Sequence, residues 1–328
     1  MNDRYGRKID YIRISVTDRC NLRCVYCMPE SGVTPLRHGE ILTYEELLRL
    51  CRLMAQMGIR KVKLTGGEPL IRKDLSLLVA GLKDIPGIDK VTLTTNGVLL
   101  REQLPDLVAA GLDAVNISID TLDETFYHQV TRCGSIEAVK AGLYAALAAG
   151  SLPVKINCVP VFAGKENLVS MASLARDYPV HVRFIEMMPI GLGQSFDFHS
   201  EDEIRNVLEA AYGPLTPFEG ILGNGPCRYY SAPDFKGKIG FISAISHKFC
   251  SQCNRVRLTA EGYLKTCLQY DTGCDLRAPL RDGSSDDVLQ QLMEKTIFEK
   301  PASHHFHEAA AEGSDGGEEG RRMYQIGG

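Results

Sequence analysis

Three thiols within one short stretch, Cys20, Cys24 and Cys27, are spaced C-x3-C-x2-C and can turn toward a single inorganic centre from one loop. A structural zinc takes four ligands, and no histidine follows at finger spacing, His38 being the nearest, so a trio leaves one coordination position open. Spacing alone suits an iron–sulfur cluster or zinc. A second trio, Cys250, Cys253 and Cys267, gives C-x2-C-x13-C far along the chain. Cys51, Cys133, Cys158 and Cys227 stand alone and read as small buried apolar residues. Cys274, seven positions after Cys267, reads as a free thiol just before a capped helix at Asp275, Leu276 and Arg277. Basic residues form the other candidate group: Arg13, Lys61, Lys63, Lys155 and Arg183 all fall on expected strands, with Lys61 and Lys63 in phase. Interior charges are costly unless matched, so these expect either an anionic ligand or an internal network with acids such as Asp120 or Glu186.

The elements that must position these groups follow from the hydrophobic pattern. Short β-branched runs at Tyr11–Val16, Lys61–Leu64, Lys90–Thr94, Ala114–Ile119, Val154–Val159 and Val180–Glu186 alternate with helical patterns. Thr43 and Glu46 form a capping box, after which Leu47, Leu50, Cys51 and Met54 share one face up to Gly58. A second helix runs from Ser135 to Gly150 with Ile136, Val139, Leu143 and Leu147 inward. Six such units without a dinucleotide fingerprint predict an incomplete (βα)6 TIM-type barrel, an α/β fold with ligands at the carboxyl ends of its strands. Cys20–Cys27, Gly66-Gly67-Glu68-Pro69, Thr95-Asn96-Gly97, Ser118 and Asp120 fall at those ends. Residues 1–213 are read as the barrel domain and 214–328 as a smaller domain closing its open side, with hairpins around Lys238–Ser246 and Arg255–Leu258. The stretch from Glu308 to Glu319 holds five acids and no base, and is expected to be mobile and solvated.

Composition sets the limits. With 44% hydrophobic and 24% charged residues, the chain reads as globular rather than disordered or fibrous. A net charge of −4 is too near neutral for a nucleic-acid or membrane surface, so an anionic ligand needs a local basic cluster. No apolar run approaches the ~18 positions of a membrane span. Eleven cysteines without a secretory leader predict a reducing, cytoplasmic setting. Composition permits a homodimer.

The string from Thr17 to Cys27, with Gly66-Gly67-Glu68-Pro69 at the second strand end, resembles the radical S-adenosylmethionine (SAM) superfamily. Adding the second trio within Phe249–Leu258 and the terminal Gly327-Gly328, the chain resembles the GTP cyclases of molybdenum cofactor biosynthesis from about Tyr5 to its end. The resemblance implies two [4Fe–4S] clusters, on Cys20, Cys24 and Cys27 and on Cys250, Cys253 and Cys267, each lacking a fourth protein ligand. It implies SAM at Tyr26, Gly66, Gly67, Thr94, Ser118 and Met188. GTP is expected at Arg13, Lys61, Lys63, Lys155, Arg183, Arg255 and Arg257, with Arg13, Arg255, Arg257, Gly327 and Gly328 serving catalysis. One-electron cleavage of SAM would give a 5′-deoxyadenosyl radical that removes the ribose 3′ hydrogen of GTP, after which that carbon joins guanine C8. A low-potential electron donor and the next enzyme of the pathway are the implied partners.

Overall fold

A computed structural model of the chain describes residues 1–161, 164–197, 199–306 and 320–327. Six strands follow in chain order as expected: β1 (Tyr11–Ser15), β2 (Lys61–Thr65), β3 (Lys90–Thr95), β4 (Ala114–Ser118), β5 (Val154–Cys158) and β6 (His181–Ile185). Between and after them run α1 (Tyr44–Gln56), α2 (Leu75–Lys83), α3 (Leu100–Ala109), α4 (Glu124–Thr131), α5 (Ile136–Ala148), α6 (Lys165–Asp177) and α7 (Glu201–Tyr212). Neighbouring members of the six pair in parallel, which requires a crossover between them and buries both faces.

Strand parity divides the sheet into two chemistries. Ile12, Ile14, Val62, Leu64, Val91, Leu93, Val115, Ile117, Ile156 and Val182 are fully buried in the main core, each contributing about 1.5–3 kcal/mol. The alternate positions carry Arg13, Lys63, Thr94, Asn116, Ser118, Lys155, Asn157 and Arg183, and the pleat places them on the opposite, interior face. Register keeps them together: Arg13 lies beside Lys63, and Asn157 beside Arg183. The helices cover the apolar face. Thr43 Oγ1 accepts from the Glu46 amide at 3.2 Å and Glu46 Oε2 from the Thr43 amide at 2.7 Å, so the box starts α1 as expected. Leu147 of α5 packs only partly buried at the rim of the core.

The residues after Gly213 extend this sheet at both ends: β7 (Thr216–Phe218), β8 (Arg228–Ser231), β9 (Lys238–Ile242), β10 (Arg255–Leu258), β11 (Tyr263–Lys265) and β12 (Gly273–Asp275), followed by α8 (Arg277–Arg281) and α9 (Asp286–Phe298). The order is β12-β11-β10-β1-β2-β3-β4-β5-β6-β9-β8-β7, a line rather than a ring among the described residues, as a partial barrel requires. β9 is one arm of a hairpin with β8, and it also lies parallel to β6; β10 lies parallel to β1 and forms a hairpin with β11. The Lys238–Ser246 run is therefore more than a hairpin. Ile239, Gly240 and Phe241 are all buried, the pattern of a strand covered on both faces.

Candidate active site

The loop after β1 is fixed from three sides. The Arg23 and Val25 amides donate to the Thr131 and Val130 carbonyls at the end of α4, and Arg132 Nη1 donates to the carbonyls of Arg23 and Met28. Cys27 and Met28 amides return to the Cys24 carbonyl, closing the turn. Asn96 Nδ2 donates to Asn21 Oδ1 at 2.7 Å and reaches Cys20 Sγ at 3.9 Å. At the end of β2, Gly67 packs against the loop's main chain: a Cβ there would stand 2.3 Å from the Arg19 carbonyl oxygen. Glycine is thus required where the two loops cross, a reason separate from any contact with a cofactor.

Two buried carboxylates serve this region. Glu68 accepts from the Leu70 amide, Thr95 Oγ1 and the Asn96 amide. Burial lifts it to about 7 against those bonds. Asp120 accepts from the Tyr26 hydroxyl at 2.7 Å and the Val159 amide at 2.8 Å, and burial holds it at about 6. Neither makes an ion pair with an interior base among the described residues. Glu186 is likewise committed to the Ile245 and Ser246 amides.

Burial pushes the Cys20 thiol to about 11 and Cys27 to about 12, and burial together with Cys27 raises Cys24. Such thiols become thiolates when metal cations replace their protons. Among the described residues, no three His, Cys, Asp or Glu side chains converge on a point that suits one ion. They fit a larger group better: both trios line one cavity of about 320 Å³, whose wall also carries Tyr26, Gly66, Gly67, Thr94, Ser118 and Met188. Arg13, Arg255 and Arg257 stand in the same wall.

The second trio sits in a different electrostatic setting. Burial works to raise Cys253, yet Lys300, Arg255, the Arg255 amide and Arg7 bring it down to about 7. Arg7 Nη1 donates to the Cys250 carbonyl at 2.9 Å, and the Arg255 guanidinium lies 5.2 Å from the Phe249 ring centre. Cys274 is elsewhere: it sits on β12 opposite Leu264, with Thr296 of α9 beside its thiol, and is absent from the cavity wall. Asp275 Oδ1 accepts from the Arg277 amide at 2.8 Å at the start of α8, whose N-cap position is Leu276 without a side-chain cap.

The bases expected around GTP divide. Desolvation and the charges of Arg183, Arg13, Lys155 and Arg255 hold Lys63 well below the ordinary lysine range. Lys155 is brought to about 8 by burial and Arg183. Burial, with Arg13 and Arg255, lowers Arg257. Lys63, Lys155, Arg183, Arg255 and Arg257 make no ion pair among the described residues, which disfavours the internal network and leaves a basic interior face suited to an anion. Lys61 is the exception. It shares parity with Lys63 but pairs with Asp10 at 3.0 Å, so its charge is already matched.

The chain's end returns to this face. Arg257 Nη1 donates to the Gly327 carbonyl at 2.7 Å, and Met323 and Tyr324 line the cavity. Gly327 has φ +72°, and a Cβ there would stand 2.4 Å from Thr65 Oγ1. Ile326 packs with Ile190 and Phe306 in a small apolar cluster of its own. Gly328 and the acidic stretch 308–319 lie outside the described residues. Glu68 and Asn96, visible in the sequence only as loop residues, emerge as hydrogen-bonding hubs. Of the lone cysteines, Cys51 and Cys158 are core, whereas Cys133 Sγ bonds the Asn21 carbonyl beside the first trio and Cys227 lies near Arg183 and Lys155.

Comparison with known proteins matches two family models along the chain. Residues 14–174 match the Radical SAM superfamily and residues 180–306 match Molybdenum Cofactor Synthesis C. A GTP 3′,8-cyclase of Heliobacterium modesticaldum is 47% identical over 333 residues, and one of Syntrophomonas wolfei is 44% identical over 335, each covering 100% of both chains. In fold, the chain is similar to Streptococcus suis SuiB bound to S-adenosylmethionine, with a TM-score of 0.62 at 13% identity, over 88% of this chain and 68% of that one. With relatives matched from end to end at these identities and both modules in this order, the chain belongs to the GTP 3′,8-cyclase family of radical SAM enzymes.

Proposed function

We propose that this chain converts GTP to (8S)-3′,8-cyclo-7,8-dihydroguanosine 5′-triphosphate in molybdenum cofactor biosynthesis, using SAM and two [4Fe–4S] clusters. The observation that carries this reading is one cavity walled by two thiol trios and by Arg255 and Arg257, which make no ion pair among the described residues. The chemistry supplied with the first cluster and SAM bound is one-electron cleavage of the sulfonium, giving methionine and a 5′-deoxyadenosyl radical. The protein's own residues position the reactants. Cys20, Cys24 and Cys27 would hold that cluster, while Tyr26, Gly66, Gly67, Thr94, Ser118 and Met188 line the SAM position. Tyr26 is kept in place by Asp120. Cys250, Cys253 and Cys267 would hold the second cluster, with its open iron toward guanine.

Arg13, Lys63, Lys155, Arg183, Arg255 and Arg257 would take the triphosphate, whose charge relieves their mutual repulsion. Lys61 then supports the amino end of β2 through Asp10. Gly327 and Gly328 would approach the reacting ribose beside Arg257. Residues 214–328 act as the closing domain over residues 1–213, excluding water and side reactions from the radical. No helix among the described residues is long and apolar enough to cross a membrane. The setting is taken as cytoplasmic, with a low-potential electron donor, the next enzyme of the pathway and a homodimer as partners. The test is an anaerobic assay of reconstituted protein with SAM, reductant and each nucleoside triphosphate in turn, read by mass spectrometry. A cyclised product from GTP alone is expected, and 5′-deoxyadenosine without any cyclised nucleotide would overturn the assignment.

A further inference from the structure

Lys300 follows the end of α9 and is 3% exposed. Its Nζ donates to the carbonyl of Thr266, the residue before Cys267, and no carboxylate pairs with it among the described residues. It stands in the cavity wall with Cys250, Cys253 and Cys267. Burying an ammonium group without a counter-charge costs several kcal/mol. Two other buried cations lie by this loop: Arg7 is paired with Asp3 at 2.6 Å, and Lys265 donates to the Tyr270 carbonyl on the far side of Cys267. A single carbonyl does not balance Lys300, and the sulfurs of Cys250, Cys253 and Cys267, which share its cavity wall, become negative when metal cations replace their protons. The first trio is different, facing the carboxyl groups of Glu68 and Asp120 rather than a buried lysine.

We propose that Lys300 is the fixed counter-cation of the second thiolate group and sets the reduction potential of the cluster held there. This rests on the two-cluster reading above. When that cluster accepts one electron from an external low-potential reductant it gains one negative charge and no proton. A buried ammonium nearby stabilises the reduced form and raises the potential. Lys300 thereby keeps an electron on the second cluster easier to place than it would be in neutral surroundings.

The experiment uses the full chain with Cys20, Cys24 and Cys27 all changed to Ala, so that only the second cluster is read. Iron and sulfide are counted, and the midpoint is followed by spectroscopically monitored redox titration with dithionite, with and without Lys300→Met. Retained iron with a midpoint shifted to more negative potential is expected. An unchanged midpoint at equal iron content would overturn the role of Lys300 while leaving the two-cluster reading intact. A parent triple variant with no iron would instead overturn that reading. Should Lys300→Met lose the cluster, Lys300→Arg decides: restored iron and midpoint support the charge, and the same loss assigns Lys300 to packing alone.

Discussion

Gly327 and Arg257 are joined by a hydrogen bond of 2.7 Å from the Arg257 guanidinium to the Gly327 carbonyl. The bond ties the chain's last residues to β10 at the interior face, with the Ile190, Phe306 and Ile326 cluster holding the preceding turn. Among the described residues, Met323, Tyr324 and Gly327 thus stand beside the cavity that carries both thiol trios.

Gly327→Ala should break that arrangement, because the residue has φ +72° and its Cβ would stand 2.4 Å from Thr65 Oγ1. A left-handed non-glycine residue costs about 1 kcal/mol or more, so cyclised product should fall roughly tenfold or further. Both clusters should remain. Mass spectrometry of nucleotide products beside iron counts checks it, and full turnover by the variant would refute the tail's role.

Arg257→Ala and Arg255→Ala should uncouple the reaction. Each removes an interior cation that makes no ion pair among the described residues, without touching the first trio, so 5′-deoxyadenosine should still form while cyclisation drops by about tenfold or more. The ratio of the two products is the measurement. Equal loss of both would place these arginines in support of SAM rather than GTP.

Cys24→Ala should abolish reductive SAM cleavage and leave roughly half of the iron, since the second trio draws on a separate loop. Normal 5′-deoxyadenosine formation would contradict the ligand assignment. Cys274→Ser, by contrast, should keep all iron and near-normal cyclisation, at a stability cost of about 1 kcal/mol or less. Its thiol faces Thr296.

Asp120 gives a pH signature. Burial holds it at about 6 in the folded chain, against ~3.9 when unfolded. The folded state binds this proton more tightly, so the group's contribution is fully present below pH ~4 and is lost as pH rises through about 6, a difference of roughly 3 kcal/mol. Asp120→Asn cannot titrate. Denaturant unfolding of the cluster-free protein between about pH 4 and pH 7 should therefore lose stability less steeply in the variant. Parallel curves for the two proteins would show that Asp120 ionises normally.

What the sequence revealed depended on whether the signal was local. Thr43 and Glu46 sit within one turn, and the alternation of Ile12, Ile14, Val62 and Leu64 with bases is visible residue by residue. The pairing of Tyr11 with Arg255, or of His181 with Lys238, carries no local mark because each strand is compatible with several neighbours. Lys61 shows the limit of parity: it shares a face with Lys63, but Asp10 stands at its end of the strand. The hydrogen bonds of Asn96 and Lys300 run across loops, which spacing does not encode.

Both edges of the six-strand unit are covered by strands from the last third of the chain, β10 against β1 and β9 against β6. During synthesis the first 185 residues can emerge with both edges still unpaired, a state in which exposed backbone invites pairing with other chains. The longest wait belongs to Tyr11, whose partner Arg255 lies far along the chain, so formation of that edge is slow by topology alone. Nascent chains stalled before β9 should thus be the most aggregation-prone species this sequence produces, and the loop that carries Cys20, Cys24 and Cys27 is made long before the strands that shelter it.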